Sequence, residues 1–182
     1  MNKQDYLNIN SNSDNMDEIF KKTSTTFLDL KNSLIYLDTP DVFNNLKTVD
    51  DFNLHHLINL KQINYNGSKY GIVHIQLKYF VKKNNYEYIL DKLDKKMELG
   101  LNMSLLNSGN KKIFILLDLS DISQRNYSRK FIKLLTKRFT IKYDDCMALC
   151  YLYGNMRFVK MVWPFITTLI DSKTKNKLVL LK

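Results

Sequence analysis

Residues 111–121 read KKIFILLDLSD, in which two lysines precede an unbroken apolar run that ends in acidic and small polar residues. A continuous apolar run of strand length is typical of a parallel strand buried on both faces of its sheet. The stretch therefore predicts a strand over residues 112–119 in the interior of a sheet. Asp118 and Asp121 close this strand, where α/β sheets often hold ligand groups and where an acid also serves as a turn or cap residue.

The segments on both sides of this strand extend the pattern. Three β-branched or aromatic segments predict strands at residues 71–81, 146–153 and 177–181. Helical periodicity occupies residues 85–106, 126–139 and 155–170. Strands that alternate with helices pair in parallel through helical crossovers. The predicted fold class is therefore α/β, a mainly parallel sheet flanked by helices.

The first third of the chain has a different pattern. Residues 1–14 are expected to be a disordered lead. Apolar residues then recur mostly at three- and four-residue steps, which predicts a helix. They are Met16, Phe20, Phe27, Leu30, Leu34 and Leu37. Shorter helices are predicted at residues 42–48 and 50–62, so residues 15–65 are expected to form a small helical region before an α/β domain at residues 66–182.

The net charge of +10 is carried by one part of the chain. Residues 1–110 contain 13 Lys and Arg against 13 Asp and Glu, whereas residues 111–182 contain 15 against 5. A basic part next to a neutral part favours an anionic partner: nucleic acid, an anionic membrane surface or a phosphorylated ligand. A basic surface that serves only solubility is the alternative.

The sequence contains no catalytic or metal-binding pattern. It lacks a glycine-rich phosphate loop, a G-x-S-x-G motif and an H-E-x-x-H motif. Cys146 and Cys150 are expected to be core thiols. The histidines that a metal site would need, His55, His56 and His74, lie far upstream in the sequence. We therefore expect a protein that is not an enzyme and holds neither a metal nor a cofactor.

The sequence also predicts a location. It has no run of about 18 apolar residues, so we expect no transmembrane segment. The N-terminal stretch MNKQDYLNINSNSDNMDE is polar and acidic, unlike a signal peptide with its apolar centre. We therefore expect a cytoplasmic protein whose contact with membranes is peripheral.

Pro164 interrupts an otherwise regular amphipathic helix over residues 155–170. A proline inside a helix removes a backbone donor, at a cost of roughly 3 kcal/mol. Pro164 shares a polar stripe with Arg157 and Lys160 on a helical wheel. The freed carbonyl is therefore expected on the hydrated face, where the chain tolerates the proline as a kink.

The order of motifs in the C-terminal part resembles that of a known family. The motifs are YDDC at residues 143–146, an aromatic at Trp163, LID at residues 169–171 and TKNKL at residues 174–178. This order is similar to that of the CRAL-TRIO lipid-binding domains, which include retinaldehyde- and tocopherol-binding proteins and phosphatidylinositol transfer proteins. FILLDLSDIS, at residues 114–123, looks like the central strand of that family. The resemblance covers residues 68–182 and implies the family's α/β fold.

The resemblance also implies a binding site. In the family, the helix that contains the aromatic is a gate over a lipid cavity, and here that helix is residues 155–170. The implied gate and pocket residues are Phe158, Val162, Trp163, Phe165, Ile166 and Leu169. Trp163 is expected to face the interior or the cavity. The chain stops soon after KLVLL, so we expect a domain that is shorter at its C-terminus than other family members.

Basic residues after the gate hold phosphoinositide headgroups in tocopherol-transfer-like members of the family. The matching positions are Lys173 and Lys177, and we expect them to act with Arg129, Lys130 and Lys133 of the preceding basic helix. The resulting hypothesis is a non-enzymatic protein that binds a lipid, anionic phosphoinositide membranes, or both. The first alternative is a protein-interaction module built on a degenerate CRAL-TRIO fold. The second, ranked last, is a basic nucleic-acid-binding protein, because no nucleic-acid-reading motif is present.

Overall fold

The computed structural model describes residues 34–35, 55–82 and 85–181, except for the side chains of residues 34, 35, 162 and 165. Within these residues, strands form one sheet in which they lie in chain order. They are β1 (Leu34–Ile35), β2 (Ile58–Tyr65), β3 (Ser68–Gln76), β4 (Ile113–Leu119), β5 (Met147–Gly154) and β6 (Leu178–Leu180). β1 pairs antiparallel with β2 and β2 with β3, whereas the three later pairings are parallel. The prediction of a mainly parallel sheet with β4 in its interior is therefore confirmed.

Helices follow the strands as the sequence predicted. From residue 85 on, the α-helices are α1 (Tyr86–Ser108), α2 (Arg129–Arg138), α3 (Met156–Thr167) and the short α4 (Ser172–Lys175). A π-helical turn, Phe139–Tyr143, continues α2. The Asn85 side chain caps α1 by accepting the backbone N–H groups of Glu87 and Tyr88, at 3.1 and 3.3 Å. Gly109, at a φ of 70°, ends the helix in the left-handed conformation that glycine adopts without strain.

The apolar run of β4 is explained by burial on both faces of the sheet. Ile113 and Ile115 point into the larger core, which also contains Met97 of α1, Leu135 of α2 and Val159 of α3. The opposite face carries a smaller cluster, consisting of Ile63, Ile72, Phe114, Leu116, Tyr151 and Leu181. Because successive strand residues face opposite ways, a strand between two apolar clusters carries apolar residues at successive positions.

The predicted helix over residues 50–62 is wrong in its second half. Residues 55–57 are helical, but the chain then forms β2, and residues 50–54 lie outside the described part. Asn66 and Gly67 have φ values of 49° and 76°, and Tyr65 pairs with Ser68. An Asn-Gly pair with two positive φ angles makes the two-residue turn that joins antiparallel strands. Residues 58–76 are therefore a hairpin, and the α/β sheet begins earlier than residue 66.

Two smaller predictions also need correction. Leu34 was assigned to a helical stripe, but it lies in β1, opposite Ile63 of β2. The strand predicted at residues 71–81 begins at Ser68 and ends at Gln76, after which a 3-10 turn follows. The remaining members of the stripe, the disordered lead and the helix at residues 42–48 lie outside the described residues.

α1 packs on β3 through a close contact between two glycines. A Cβ atom added to Gly71 would lie 2.5 Å from the carbonyl oxygen of Gly100. The hydroxyl of Ser104 accepts the N–H of Gly71 at 2.8 Å and donates to the carbonyl of Gly100 at 2.9 Å. The helix backbone can therefore approach the strand only because neither position carries a side chain.

Candidate functional site

An apolar cavity of about 60 Å³ lies between the sheet, α2 and α3. The strands contribute Leu117, Met147, Cys150, Leu152 and Leu178; α2 and the π-helical turn contribute Ile132, Leu135, Thr136 and Phe139; α3 and the segment after it contribute Ile166, Ile170 and Thr174. Burial raises the pKa of the Cys150 thiol to about 12, so this side chain is a neutral part of the wall. The cavity offers hydrocarbon contacts and little hydrogen bonding.

The cavity is smaller than the usual site for an organic ligand. Ligand pockets typically enclose about 300–1,000 Å³, and this cavity encloses about 60 Å³. An acyl chain or an isoprenoid would therefore need additional room. Because the sheet is fixed by its ladder of backbone hydrogen bonds, that room can come only from displacement of a helix that covers the cavity.

Two of the described side chains of α3 are fully buried in the larger core. Val159 and Trp163, one turn apart, are 0% and 2% exposed. Phe158 is half-buried and meets the ring of Tyr127 edge-on, with ring centroids 5.4 Å apart. Met161, on the outer side, is 61% exposed. Among its described side chains, α3 therefore has one fully buried edge beside half-buried and exposed positions.

The residues that the resemblance implied for the gate occupy different positions. Ile166 lines the cavity. Trp163 packs in the larger core, in agreement with its expected inward orientation, and Phe158 lies at the rim of that core. Leu169, half-buried beyond the end of α3, donates its N–H to the carbonyl of Ile166 at 2.9 Å. The side chains of residues 162 and 165 lie outside the description, so their roles stay predictions.

Pro164 lies within α3 and on its exposed side, as the sequence predicted. The residue four positions earlier, Lys160, whose carbonyl loses its helical donor, is also exposed. The carbonyl of Pro164 itself accepts the hydroxyl of Thr167 at 3.0 Å. Water can therefore satisfy the group that the proline frees, and α3 continues through the proline.

The two lysines predicted to hold a headgroup are engaged in ion pairs. The ammonium of Lys173 lies 2.8 Å from carboxylate oxygens of both Asp144 and Asp145. Lys177 lies 2.9 Å from the Asp144 carboxylate and also donates to the backbone carbonyl of Asp144. Hydrogen bonds from Lys173 and Lys177 hold the pKa of Asp144 well below its usual range. This cluster ties α4 to the segment before β5.

The five predicted cations do not lie together. α2 begins after the carboxyl end of β4 and leads back to the amino end of β5. Arg129 and Lys130 therefore lie near the carboxyl edge of the parallel strands, with Lys133 one turn further on. Lys173 and Lys177 lie at the amino edge. At 1.5 Å of rise per residue, about 20 Å of helix and turn separates the two groups.

The ion pairs of Asp144 predict a pH-dependent contribution to stability. Because the pKa of Asp144 is lower in the folded protein than its ordinary value of 3.8, the carboxylate stabilises the fold above that pH. This contribution is lost as the pH falls toward the folded pKa. Asp144→Asn should therefore lower the free energy of unfolding at neutral pH, and its difference from wild type should shrink below about pH 4. Urea unfolding across pH measures this difference.

Asp121→Asn is the matched control, because Asp121 is 77% exposed and its oxygen lies 3.5 Å from Lys78. We expect it to change stability by about 0.5 kcal/mol or less at neutral pH. An Asp144→Asn difference that stayed constant down to low pH would contradict the ion-pair account.

A polar pair at the carboxyl ends of β3 and β4 was not predicted. His74 Nε2 lies 3.4 Å from Asp118 Oδ2, and the backbone N–H of Ser120 donates to Asp118 Oδ1 at 2.9 Å. Burial lowers the pKa of His74. Burial also works to raise the pKa of Asp118, but the hydrogen bonds from His74 and Ser120 outweigh it and lower that pKa. His74 pairs with Leu116, and Asp118 lies two residues after Leu116, so both side chains point to the same face of the sheet. The alternation of side chains along each strand was the available signal for this pair.

Comparisons with known proteins match the chain to one domain family. The family model of the CRAL/TRIO domain matches residues 87–182, which are 96 of the 182 residues. Among solved structures, a crystal structure of Sfh5 superimposes with a TM-score of 0.60 at 18% sequence identity, covering 77% of this chain and 54% of that one. The chain thus spans about half the length of that structure. No curated protein sequence matches it.

No group of three or more His, Cys, Asp or Glu side chains in the described ranges is arranged to hold a metal ion. No helix within the same ranges has the length and apolarity needed to cross a bilayer.

Proposed function

The chain belongs to the CRAL-TRIO family, whose fold is a lipid-binding fold, and from this premise we propose that it binds a hydrophobic lipid between the sheet and α3 without catalysing a reaction. The observation that carries the proposal is the apolar cavity beneath α2 and α3. An empty apolar void forfeits dispersion contacts. A ligand methylene that enters such a space gains about 0.8 kcal/mol relative to water.

Binding a lipid requires α3 to move outward. The contact of Phe158 with Tyr127 is at the rim and can break without exposing the centre of the core. Ile166, which lines the cavity, and the half-buried Leu169 would then meet the ligand instead of the sheet. Phe158, Val162, Trp163, Phe165, Ile166 and Leu169 remain the proposed gate and pocket residues. Their burial by a lipid chain would replace the contacts that the displaced helix loses.

The finer proposal concerns anionic lipid. The 15 cationic against 5 acidic residues of residues 111–182 favour a negatively charged surface, phosphoinositide included. Lys173 and Lys177 remain the proposed headgroup ligands, and a phosphate would have to replace Asp144 and Asp145 as their partners. Because the headgroup would replace two carboxylates, it would need more than one negative charge. The protein would then work in the cytoplasm and contact membranes peripherally.

A protein-interaction module without lipid exchange is the second candidate. The observation in its favour is the size of the cavity, because a void of about 60 Å³ is compatible with a helix that never opens. The two candidates differ in one result: only the first retains lipid through purification.

Mass spectrometry of lipids that co-purify with the folded full chain tests the proposal. Cys150→Met places a longer, flexible side chain in the cavity, and Cys146→Met makes the same chemical change four residues earlier. Cys146 is half-buried and is not among the cavity-lining residues. We expect Cys150→Met to reduce the molar ratio of bound lipid several-fold, while Cys146→Met retains the wild-type ratio. Because methionine adapts to irregular spaces, Cys150→Met should melt within a few degrees of wild type.

Three results would contradict this proposal. Wild-type protein free of lipid, and unable to take up lipid from vesicles, would favour the protein-interaction module. A wild-type ratio of bound lipid in both variants would place the ligand elsewhere. Equal losses in both variants would mean that thiol removal, and not cavity filling, is the cause.

A further inference from the structure

The outer face of α2 carries a row of exposed cations. Arg129, Lys133 and Lys137 follow one another at four-residue spacing, and all three are exposed. Residues at this spacing are neighbours on a helix surface, and like charges there destabilise the helix. Neither α2 nor the π-helical turn contains an acidic residue to offset them. Repulsion between these neighbouring charges therefore weakens the helix, although the helix dipole favours Lys137 in the last turn.

The N-terminus of α2 also carries exposed cations. Arg129 and Lys130 are its first two residues, where the helix dipole is positive and acidic residues are favoured. Lys130 contacts the ring of Tyr86, 5.9 Å from the ring centroid, and remains exposed. Two cations at a positive helix end favour an external anion.

Cations on the other side of α2 and the π-helical turn form ion pairs with acidic residues of α1. Arg138 pairs with Asp94 at 3.1 Å and with Glu87 at 3.4 Å, and Lys142 pairs with Asp94 at 2.8 Å. No ion pair within 4.0 Å joins Arg129, Lys133 or Lys137 to an acidic residue of the described ranges. Within α2 and the π-helical turn, the outer row therefore differs from Arg138 and Lys142, because its charges have no acidic partner among the described residues.

An exposed isoleucine continues this row. Ile141 follows Lys137 by four residues and is 72% exposed. With Leu90 and Leu134 it lines a surface groove of about 450 Å³, whose rim carries Lys137 and Arg138. A large apolar side chain at the end of a row of cations suits an interface that is negatively charged at its surface and apolar beneath. A nucleic-acid backbone offers the first property and lacks the second.

We propose that Arg129, Lys130, Lys133, Lys137 and Ile141, together the docking face, bind the surface of an anionic lipid bilayer, with Ile141 inserted below the headgroups. The inference rests on the proposed function, which it deepens by naming the surface that meets the membrane. The inner side of α2, through Ile132 and Leu135, forms a wall of the cavity. Docking through the outer side therefore brings the cavity next to the bilayer that supplies or receives the lipid.

Co-sedimentation of the full chain with phosphatidylcholine vesicles, with and without phosphatidylserine, tests the docking face. A basic residue near an anionic surface contributes about fivefold to partitioning, so Lys133→Gln with Lys137→Gln should weaken binding roughly 25-fold. Lys69→Gln with Lys95→Gln removes the same charge from exposed positions on β3 and α1 and should leave binding nearly unchanged. Ile141→Ser, which alters no charge, should weaken binding about tenfold.

The outcomes separate this inference from its alternatives. Equal losses of vesicle binding from the two lysine pairs would mean that only net charge matters. Unchanged vesicle binding by Ile141→Ser would exclude insertion. Either result overturns the docking face. If wild-type protein did not bind phosphatidylserine vesicles but bound duplex DNA or RNA, the row of cations would be a nucleic-acid-binding surface. Because Cys150→Met leaves the docking face intact, it should still sediment with anionic vesicles. Lipid-free wild-type protein that still sediments would refute the cavity proposal alone.

Discussion

Trp163→Ala is expected to lower the free energy of unfolding by about 3–5 kcal/mol, because it removes the largest buried side chain of α3. Trp163 is 2% exposed and packs in the larger core with Val159. Apart from Val159, the described side chains of α3 are half-buried or exposed, so they offer little to compensate for the loss. The surrounding side chains can collapse only partly into the space, and the remaining void adds to the lost transfer energy.

Met161→Ala on the same helix is the matched control. Met161 is 61% exposed, so its truncation should change the free energy of unfolding by about 0.5 kcal/mol or less. Urea denaturation followed by circular dichroism measures both variants. Similar losses for the two residues would contradict the burial of Trp163 under α3.

Gly71→Ala is expected to cost about 3 kcal/mol or more, at the high end for overpacking a core. The new methyl group would lie 2.5 Å from the carbonyl oxygen and 2.6 Å from the Cα of Gly100, so backbone must move. A shift of α1 away from β3 would also stretch the hydrogen bond between Gly71 and Ser104. Thermal unfolding should show a large drop in Tm or no folded protein.

Gly67→Ala separates this clash from the general effect of replacing a glycine. Gly67 has a φ of 76° and no atom within 4 Å of the added methyl group. Its replacement should cost about 1–2 kcal/mol of backbone strain alone. If Gly71→Ala were no more harmful than Gly67→Ala, the close crossing of α1 and β3 would be wrong.

The central strand and the long helices were predictable because their signals are local. β4 is apolar at successive positions because both faces of the sheet are covered. α1 begins at an asparagine cap and ends at a left-handed glycine, so its residues specify both ends. Pro164 was interpretable for the same reason, since helical periodicity alone assigns it to the exposed face.

The hairpin at residues 58–76 was missed although its signal was present. Leu57, Ile58, Leu60 and Ile63 are spaced so that a helical stripe and a strand fit almost equally well. The Asn66-Gly67 turn decides between them, because such a turn requires a strand on each side. The predicted helix at residues 50–62 therefore overlaps β2 at residues 58–62.

The size of the cavity and the ion pairs of Lys173 and Lys177 could not be predicted from the sequence. The cavity walls come from residues between 117 and 178 on several elements, and their convergence depends on the relative position of α2 and α3. The resemblance implied a cavity under the gate helix but contained no information on its size. The spacing of Lys173 and Lys177 matched a headgroup site, and only the fold shows Asp144 and Asp145 opposite them.

The central claim is that a lipid chain enters between the sheet and α3. Trp163 is the only tryptophan of the chain, and it lies one turn before Ile166 of the cavity wall. Its fluorescence, titrated with a phospholipid brominated on its acyl chain, measures this entry most directly. We expect saturable quenching in the wild-type protein and in Cys146→Met, and much weaker quenching in Cys150→Met. Unquenched Trp163 in wild-type protein, or equal quenching in all three proteins, would contradict the claim.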